Sequence, residues 1–153
     1  MTTTASAKGV RVRRASRDDI PQLPELCAQL GYETTETEIR ERFDDIASCF
    51  DEEIFVAEIA DGRIAGFLTI FVMRTIASDP RAEVSGLVVH ESHRTRGVGK
   101  LLMQTGETWA REHGCGAVTL RSNVIRDVAH RFYENLGYKH IKTQKSFRKV
   151  LER

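Results

Sequence analysis

Arg94-Thr95-Arg96-Gly97-Val98-Gly99-Lys100 stands between a β-type apolar run, Val84 to Val89, and a run with helical spacing, Val98 to Trp109. A glycine-rich turn leading a strand into a helix is suited to holding a diphosphate. The first amides of a helix have no intrahelical acceptor, and the aligned peptide dipoles place partial positive charge on them. Gly97 and Gly99 lack a Cβ, so a bulky anion can approach the main chain. Arg94 and Arg96 bring formal charge and forked donors to the same point. The stretch predicts a strand–turn–helix unit and a diphosphate-containing ligand.

What the turn lacks narrows that ligand. A P-loop needs Gly-x-x-x-x-Gly-Lys-Ser/Thr, but Arg94 holds the place of the first glycine and Leu101 that of the magnesium-binding hydroxyl. Nucleoside triphosphate hydrolysis does not fit this pattern. A dinucleotide fingerprint needs a third glycine where Leu102 stands. It also follows the first strand of its domain, whereas this turn lies past the middle of the chain.

The chain around the turn is long enough, at 153 residues, for one domain with a sizeable core. A formal net charge of +1 leaves no electrostatic footprint for nucleic acid or an anionic membrane. Aromatic residues, at 7%, are too few to interleave a basic stripe with stacking platforms. No apolar run nears the roughly eighteen residues of a membrane span, and the N-terminus has no signal-peptide core. Met1 to Gly9, rich in Thr, Ala and Ser, is expected to be a flexible end that frays, with residues 10–153 as the single domain. Cys27, Cys49 and Cys115 are odd in number and far apart, which reads as reduced structural thiols in a cytoplasmic protein. His90-x-x-His93 has no third ligand in view, so no metal site is expected.

Outward from the turn the elements alternate. Val10 to Arg14 reads as a strand. Ser16-x-x-Asp19 is a capping box that opens a helix with Ile20, Leu23, Cys27 and Leu30 on one face, ended by Gly31. Thr35-x-x-Glu38 caps a second helix with an apolar face of Ile39, Phe43, Ile46, Ala47 and Phe50. Ile54 to Ala60 and Arg63 to Val72 are strands about an Asp61-Gly62 hairpin. The strand Glu83 to Val89, a helix from Val98 to His113 and the strand Ala117 to Arg121 follow. Ile125, Ala129, Phe132 and Leu136 define a helix stopped by Gly137, and two further strands are expected from Tyr138 to Val150. This is an α/β chain with a mixed sheet, in which the strands flanking the Val98-to-His113 helix are parallel neighbours.

At this point the chain resembles the GNAT superfamily of acyl-CoA-dependent N-acetyltransferases, from Val10 to Leu151. Four matches carry the resemblance. Arg94-x-x-Gly97-x-Gly99 is similar to the family's pyrophosphate loop, and Leu87-Val88-Val89 before it to the strand whose main chain pairs with pantetheine. Asn123 with Ala129, Phe132, Tyr133 and Gly137-Tyr138 resembles the family's Asn…Ala…Phe-Tyr…Gly-Phe/Tyr signature. Asp18, within Arg-Ala-Ser-Arg-Asp-Asp, resembles its usual opening.

The resemblance implies a mixed sheet of six to seven strands with about four helices, in which the parallel fourth and fifth strands splay apart. It implies acetyl-CoA as co-substrate. Leu87, Val88, Val89, Arg94, Thr95, Arg96, Gly97, Val98, Gly99, Lys100, Asn123, Ala129 and Tyr133 would bind it. A bulge near Gly86 would leave backbone groups of Leu87 and Val89 for pantetheine, itself a chain of amides. Gly86 reads equally well as an ordinary strand glycine.

Acetyl transfer needs a proton acceptor beside the amine and a donor beside the sulfur. An alkylammonium titrates near Lys, at about 10.4, and the leaving thiolate near Cys, at about 8.5. By the resemblance Tyr133 is the donor, the alternative being a packed aromatic beside Phe132. Glu83 is the candidate base, placed by alternation on one face with Ser85 and Leu87. An exposed strand carboxylate or a salt bridge is an equal reading for it. Asn123 either bonds pantetheine or caps the next helix. Arg126 and the basic set Lys139, Lys142, Lys145, Arg148 and Lys149 read as solvated.

The acceptor is implied to be a small-molecule primary amine, by likeness to aminoalkylphosphonate and aminoglycoside acetyltransferases, and a homodimer is compatible with it. A protein or peptide acetyltransferase, and a non-catalytic acyl-CoA sensor, are the other readings.

Overall fold

Alternating apolar positions along five runs of the chain, and one short N-terminal run, build a single mixed sheet in the computed structural model, which describes residues 5–7 and 9–152. The strands are β1 (Ala5–Ala7), β2 (Val10–Arg14), β3 (Glu52–Ile59), β4 (Ile64–Met73), β5 (Arg81–Val89) and β6 (Val118–Leu120), side by side in that order. Each pairs antiparallel with its neighbour except β5 and β6, which are parallel and joined through a helix. The helices are α1 (Leu23–Gln29), α2 (Glu36–Ala47), α3 (Val98–Glu112) and α4 (Asp127–Asn135). Residues 1–121 form one compact unit, holding the sheet and α1 to α3; residues 122–153 form a second, holding α4.

The two sheet faces carry different helices. Ile20, Leu23, Leu26, Ile39 and Phe43, from α1, α2 and the 3₁₀ turn before α1, pack with Ile54, Val56, Phe67 and Val88. On the other face α3 buries Leu102, Met103 and Trp109. Gly106 lets α3 seat closely: a Cβ there would stand 3.0 Å from Leu68 Cδ2 and 3.4 Å from Ile70 Cδ1. A mid-helix glycine costs about 0.5–1 kcal/mol against Ala, and tight packing offsets it.

Both capping boxes form as the sequence predicts. Thr35 Oγ1 accepts from the Glu38 amide while Glu38 accepts from the Thr35 amide, opening α2. At Ser16 the box opens a 3₁₀ turn, Arg17–Gln22, rather than an α-helix, since Pro21 and Pro24 interrupt the amide donors that an α-helix needs.

Asp19 in that turn is buried, at 4% exposure. Both its oxygens accept from the Arg13 guanidinium at 2.8 Å, and the Ser16 amide donates a third bond. Arg13 also donates to Glu58 on β3. Burial would raise the Asp19 pKa, but the bonds from Arg13 and Ser16 outweigh it and hold the carboxyl below its ordinary 3.8. Stability from a depressed carboxyl is present above the unfolded-state pKa and lost as pH falls through the folded value. Asp19→Asn is therefore expected to cost about 2 kcal/mol at pH 7, because it strips the half-buried Arg13 guanidinium of one of its two carboxylate partners. The deficit should shrink as pH falls below about 3.8, where the unfolded chain takes up the proton before the folded one does. Urea melts at pH 7 and pH 3 check both statements; equal deficits would assign the loss to packing.

Three expectations are corrected. The two strands expected from Tyr138 to Val150 do not form, and residues 138–152 have no regular structure. Ile141, Phe147, Val150 and Leu151 are exposed. Their spacing gives no period-two face, with Lys142, Lys145, Arg148 and Lys149 between them, so no buried surface offsets the ordering of a strand. The sixth strand comes instead from within the segment expected to fray: Ala5–Ala7 pairs with β2, while Met1 to Thr4 and Lys8 lie outside the described residues. Phe50 and Ile125 lie beyond the ends of α2 and before α4, and both are exposed.

Candidate functional site

The register between β4 and β5 slips by one residue, with Thr69 opposite Gly86 but Ile70 opposite Val84. Ser85 is the extra residue, a β-bulge. Below it Glu83 lies opposite Phe71; above it Leu87 lies opposite Leu68 and Val88 opposite Phe67. Directly opposed residues share a face, and faces alternate along β4. Glu83, Gly86 and Val88 therefore look toward α1 and α2, and Leu87 and Val89 toward α3. This corrects the expectation that Glu83 and Leu87 share a face, since the bulge intervenes. Ser85 keeps to the Glu83 side, where its hydroxyl is 2.8 Å from that of Thr69. Gly86 has a specific reason to be glycine: a Cβ would meet Thr69 Oγ1 at 2.9 Å.

The same register places the main-chain groups. The Ala82 amide donates to Ala117 O, so Ala82 turns its backbone away from β4. Val84, Leu87 and Val89 are of the same class by their pairing with Ile70, Leu68 and Gly66. Parallel pairing with β6 stops at Val84 with Leu120. Beyond it, among the described residues, no strand pairs with the side to which Leu87 and Val89 turn their backbone.

Directly after Val89 comes the turn. Arg94 Nε donates to Val89 O at 3.1 Å, tying the first arginine to the strand end. Thr95 has φ 66°, a left-handed conformation that a β-branched residue rarely adopts. Gly97 has φ 82° and precedes α3 with no side-chain cap on the helix. A Cβ on Gly97 would have nothing within 4 Å, so open space lies beside the first amides of α3. No acidic residue occupies the first turn of α3. His93 is lowered below its ordinary 6.5 by partial burial and then by the charge of Arg96. The turn is thus an open, electropositive helix start that includes Val98, Gly99 and Lys100. His90 serves structure here: its Nδ1 accepts from the Ser92 amide and its Nε2 lies 2.9 Å from Glu25.

Glu83 is mostly buried, its side chain 12% exposed. Thr119 Oγ1 lies 3.3 Å from Oε1, and Arg121 Nε lies 3.8 Å from Oε2. Sequence reading missed both partners. Their signal was available in the predicted parallel neighbourhood of the two strands, which sets Thr119 and Arg121 on one face.

The remaining candidates belong to the second unit. Tyr133 on α4 is half-buried, with its ring edge-on to Phe132 and Tyr138 at 5.2 and 6.3 Å. Burial pushes its phenol above the ordinary 10.0, with Arg126 opposing. Asn123 Oδ1 accepts from the Ile125 amide, a local turn rather than the cap of α4, whose N-cap is Arg126. Ala129 is half-buried on α4.

Comparison with known proteins gives a consistent result. The family model described as Acetyltransferase (GNAT) family matches residues 18–138, running through both units. Streptothricin acetyltransferase of Streptomyces lavendulae is 32% identical over 88 residues, 58% of this chain and 45% of that protein. The chain thus spans less than half the length of that relative. Among solved structures, glucosamine-6-phosphate N-acetyltransferase from Arabidopsis thaliana superposes with TM-score 0.79 at 25% identity, over 92% of this chain and 99% of that one. A structure of AAC(6')-Iy in complex with the bisubstrate analog CoA-S-monomethyl-acetylneamine superposes with TM-score 0.82, over 94% of this chain and 100% of that one. At 20% identity that likeness is one of fold.

Proposed function

The chain belongs to the acetyltransferase (GNAT) family, and on that premise we propose that it moves an acetyl group from acetyl-CoA to a primary amine of a small molecule, by direct transfer in a ternary complex. One observation carries the reading: the end of β5, where Leu87 and Val89 turn their main chain to a side on which no strand pairs among the described residues, just ahead of a helix start with no side-chain cap. Acetyl-CoA fits that end. Its pantetheine amides match the backbone groups of Leu87 and Val89, and its diphosphate matches the amides and cations from Arg94 to Lys100. Asn123 and Ala129 enter the binding set by resemblance to the family signature. The co-substrate supplies an activated thioester carbonyl.

This chain's residues then handle two protons. Glu83 accepts a proton from the attacking ammonium, directly or through water, so that nitrogen can form the new bond to carbon. Tyr133 donates to the sulfur as the carbon–sulfur bond breaks. Burial holds its phenol protonated; full transfer from an ordinary phenol of 10.0 to a free thiolate of pKa about 8.5 is uphill, so the proton moves in concert with carbon–sulfur cleavage and the phenolate regains one from water. The products are the N-acetyl amide and the CoA thiol. Support for a small acceptor comes from the streptothricin and glucosamine-6-phosphate enzymes to which the chain is similar. The free cysteines support a cytoplasmic setting.

A thiol-release screen with acetyl-CoA tests this. Polyamines, aminophosphonates, aminoglycosides, amino acids and Lys peptides are the acceptors. At least one small amine is expected to release CoA well above the hydrolytic background. Release with Lys peptides alone would overturn the small-molecule reading. Tight CoA binding without release on any acceptor would favour a sensor domain.

A further inference from the structure

We propose that Thr119 and Arg121 on β6 are positioning residues that hold the Glu83 carboxylate in its working orientation. The inference rests on Glu83 being the base. A glutamate side chain has three rotatable bonds, and a general base must be placed to within a fraction of an ångström of its proton. Packing alone does not fix the carboxylate plane. Here one donor approaches each oxygen: the Thr119 hydroxyl at 3.3 Å from Oε1 and the Arg121 Nε at 3.8 Å from Oε2.

The strand arrangement delivers both groups. Glu83 and Thr119 are directly opposed in the parallel pair, so their side chains rise on the same face, and Arg121 follows two residues on. Only Ala82, Glu83 and Val84 pair with β6, so the parallel contact is confined to the residues around the carboxylate. The two partners divide the task. Glu83 is nearly enclosed and needs a donor, which Thr119 supplies at short range. Arg121 is 75% exposed, so solvent screens its charge and its contribution is the smaller. Thr119 Oγ1 also lies 3.5 Å from Ala82 O, a contact that would serve only the strand.

Steady-state kinetics on the best amine from the screen separate these roles. Thr119→Val keeps the β-branched shape and removes the hydroxyl. It is expected to lower kcat about tenfold, with KM for acetyl-CoA changed less than about twofold. Thr119→Ser should recover most of the rate, and Arg121→Met should lose about threefold. In a Glu83→Gln background Thr119→Val should add less than about twofold, since the group it positions is gone. A full tenfold loss in that background, or equal losses for Val and Ser, would overturn the proposal and assign Thr119 to strand structure. A Glu83→Gln enzyme as fast as wild type would overturn the base reading itself, and this proposal with it. Melting temperatures confirm that each variant is folded.

Discussion

Tyr133→Phe is expected to lower kcat by about ten- to a thousandfold while CoA affinity and melting temperature stay near wild type. The ring packs edge-on against Phe132 and Tyr138, and Phe preserves those contacts. Only the hydroxyl is lost. Burial holds the phenol above its ordinary 10.0, so wild type keeps this proton throughout the neutral range. The variant must release an unprotonated thiolate or draw a proton from water, and the alkaline limb of its rate profile should change accordingly. A Phe variant that turns over like wild type would make Tyr133 a packing residue and solvent the acid.

The second large effect concerns the helix start. CoA at a hundredfold excess over its Kd should stabilise the protein by about 2.7 kcal/mol. For a chain of this length that is a rise in Tm of roughly 5–10 °C. Gly97→Val should remove most of the rise. Nothing lies within 4 Å of the added Cβ, so the protein has room for it, and the cost of a β-branched residue at φ 82° is local, about 1–3 kcal/mol. What the side chain takes is the space beside the first amides of α3, where a diphosphate would approach. Wild type unmoved by millimolar CoA would sink the co-substrate reading. A Gly97→Val protein with the full rise would place the diphosphate elsewhere.

Local signals were the legible ones. Both capping boxes, the Asp61-Gly62 hairpin and the strand–turn–helix about Gly97 depend on residues a few positions apart, and each formed where its residues predicted. Features set by distant partners were not legible. Arg13 finds Glu58 across 45 positions, and nothing local in either residue announces it. Alternation put the side chain of Leu87 on the wrong face, because Ser85 shows as a bulge only against the register of β4. The C-terminal segment failed for the opposite reason: its apolar residues suggested strands, but their spacing offered no face to bury.

Ser85 is the one unpaired position in the β5 ladder with β4. On the near side of the bulge odd-numbered residues look toward α1 and α2; on the far side even-numbered residues do. The strand thus behaves as a phase shifter: the extra residue changes which parity of position faces α1 and α2, while each partner on β4 keeps its place in the ladder. Without Ser85, Val84 opposite Ile70 would be followed directly by Gly86 opposite Thr69, and Val88 would keep its place with Ile20, Leu26 and Phe43. Substitutions along β5 alter one contact each; deletion of Ser85 would remove the bulge and its local bend while leaving both half-strands in register. In an aligned set of such sequences, a one-residue gap at Ser85 would mark chains that have lost the bulge and kept the sheet.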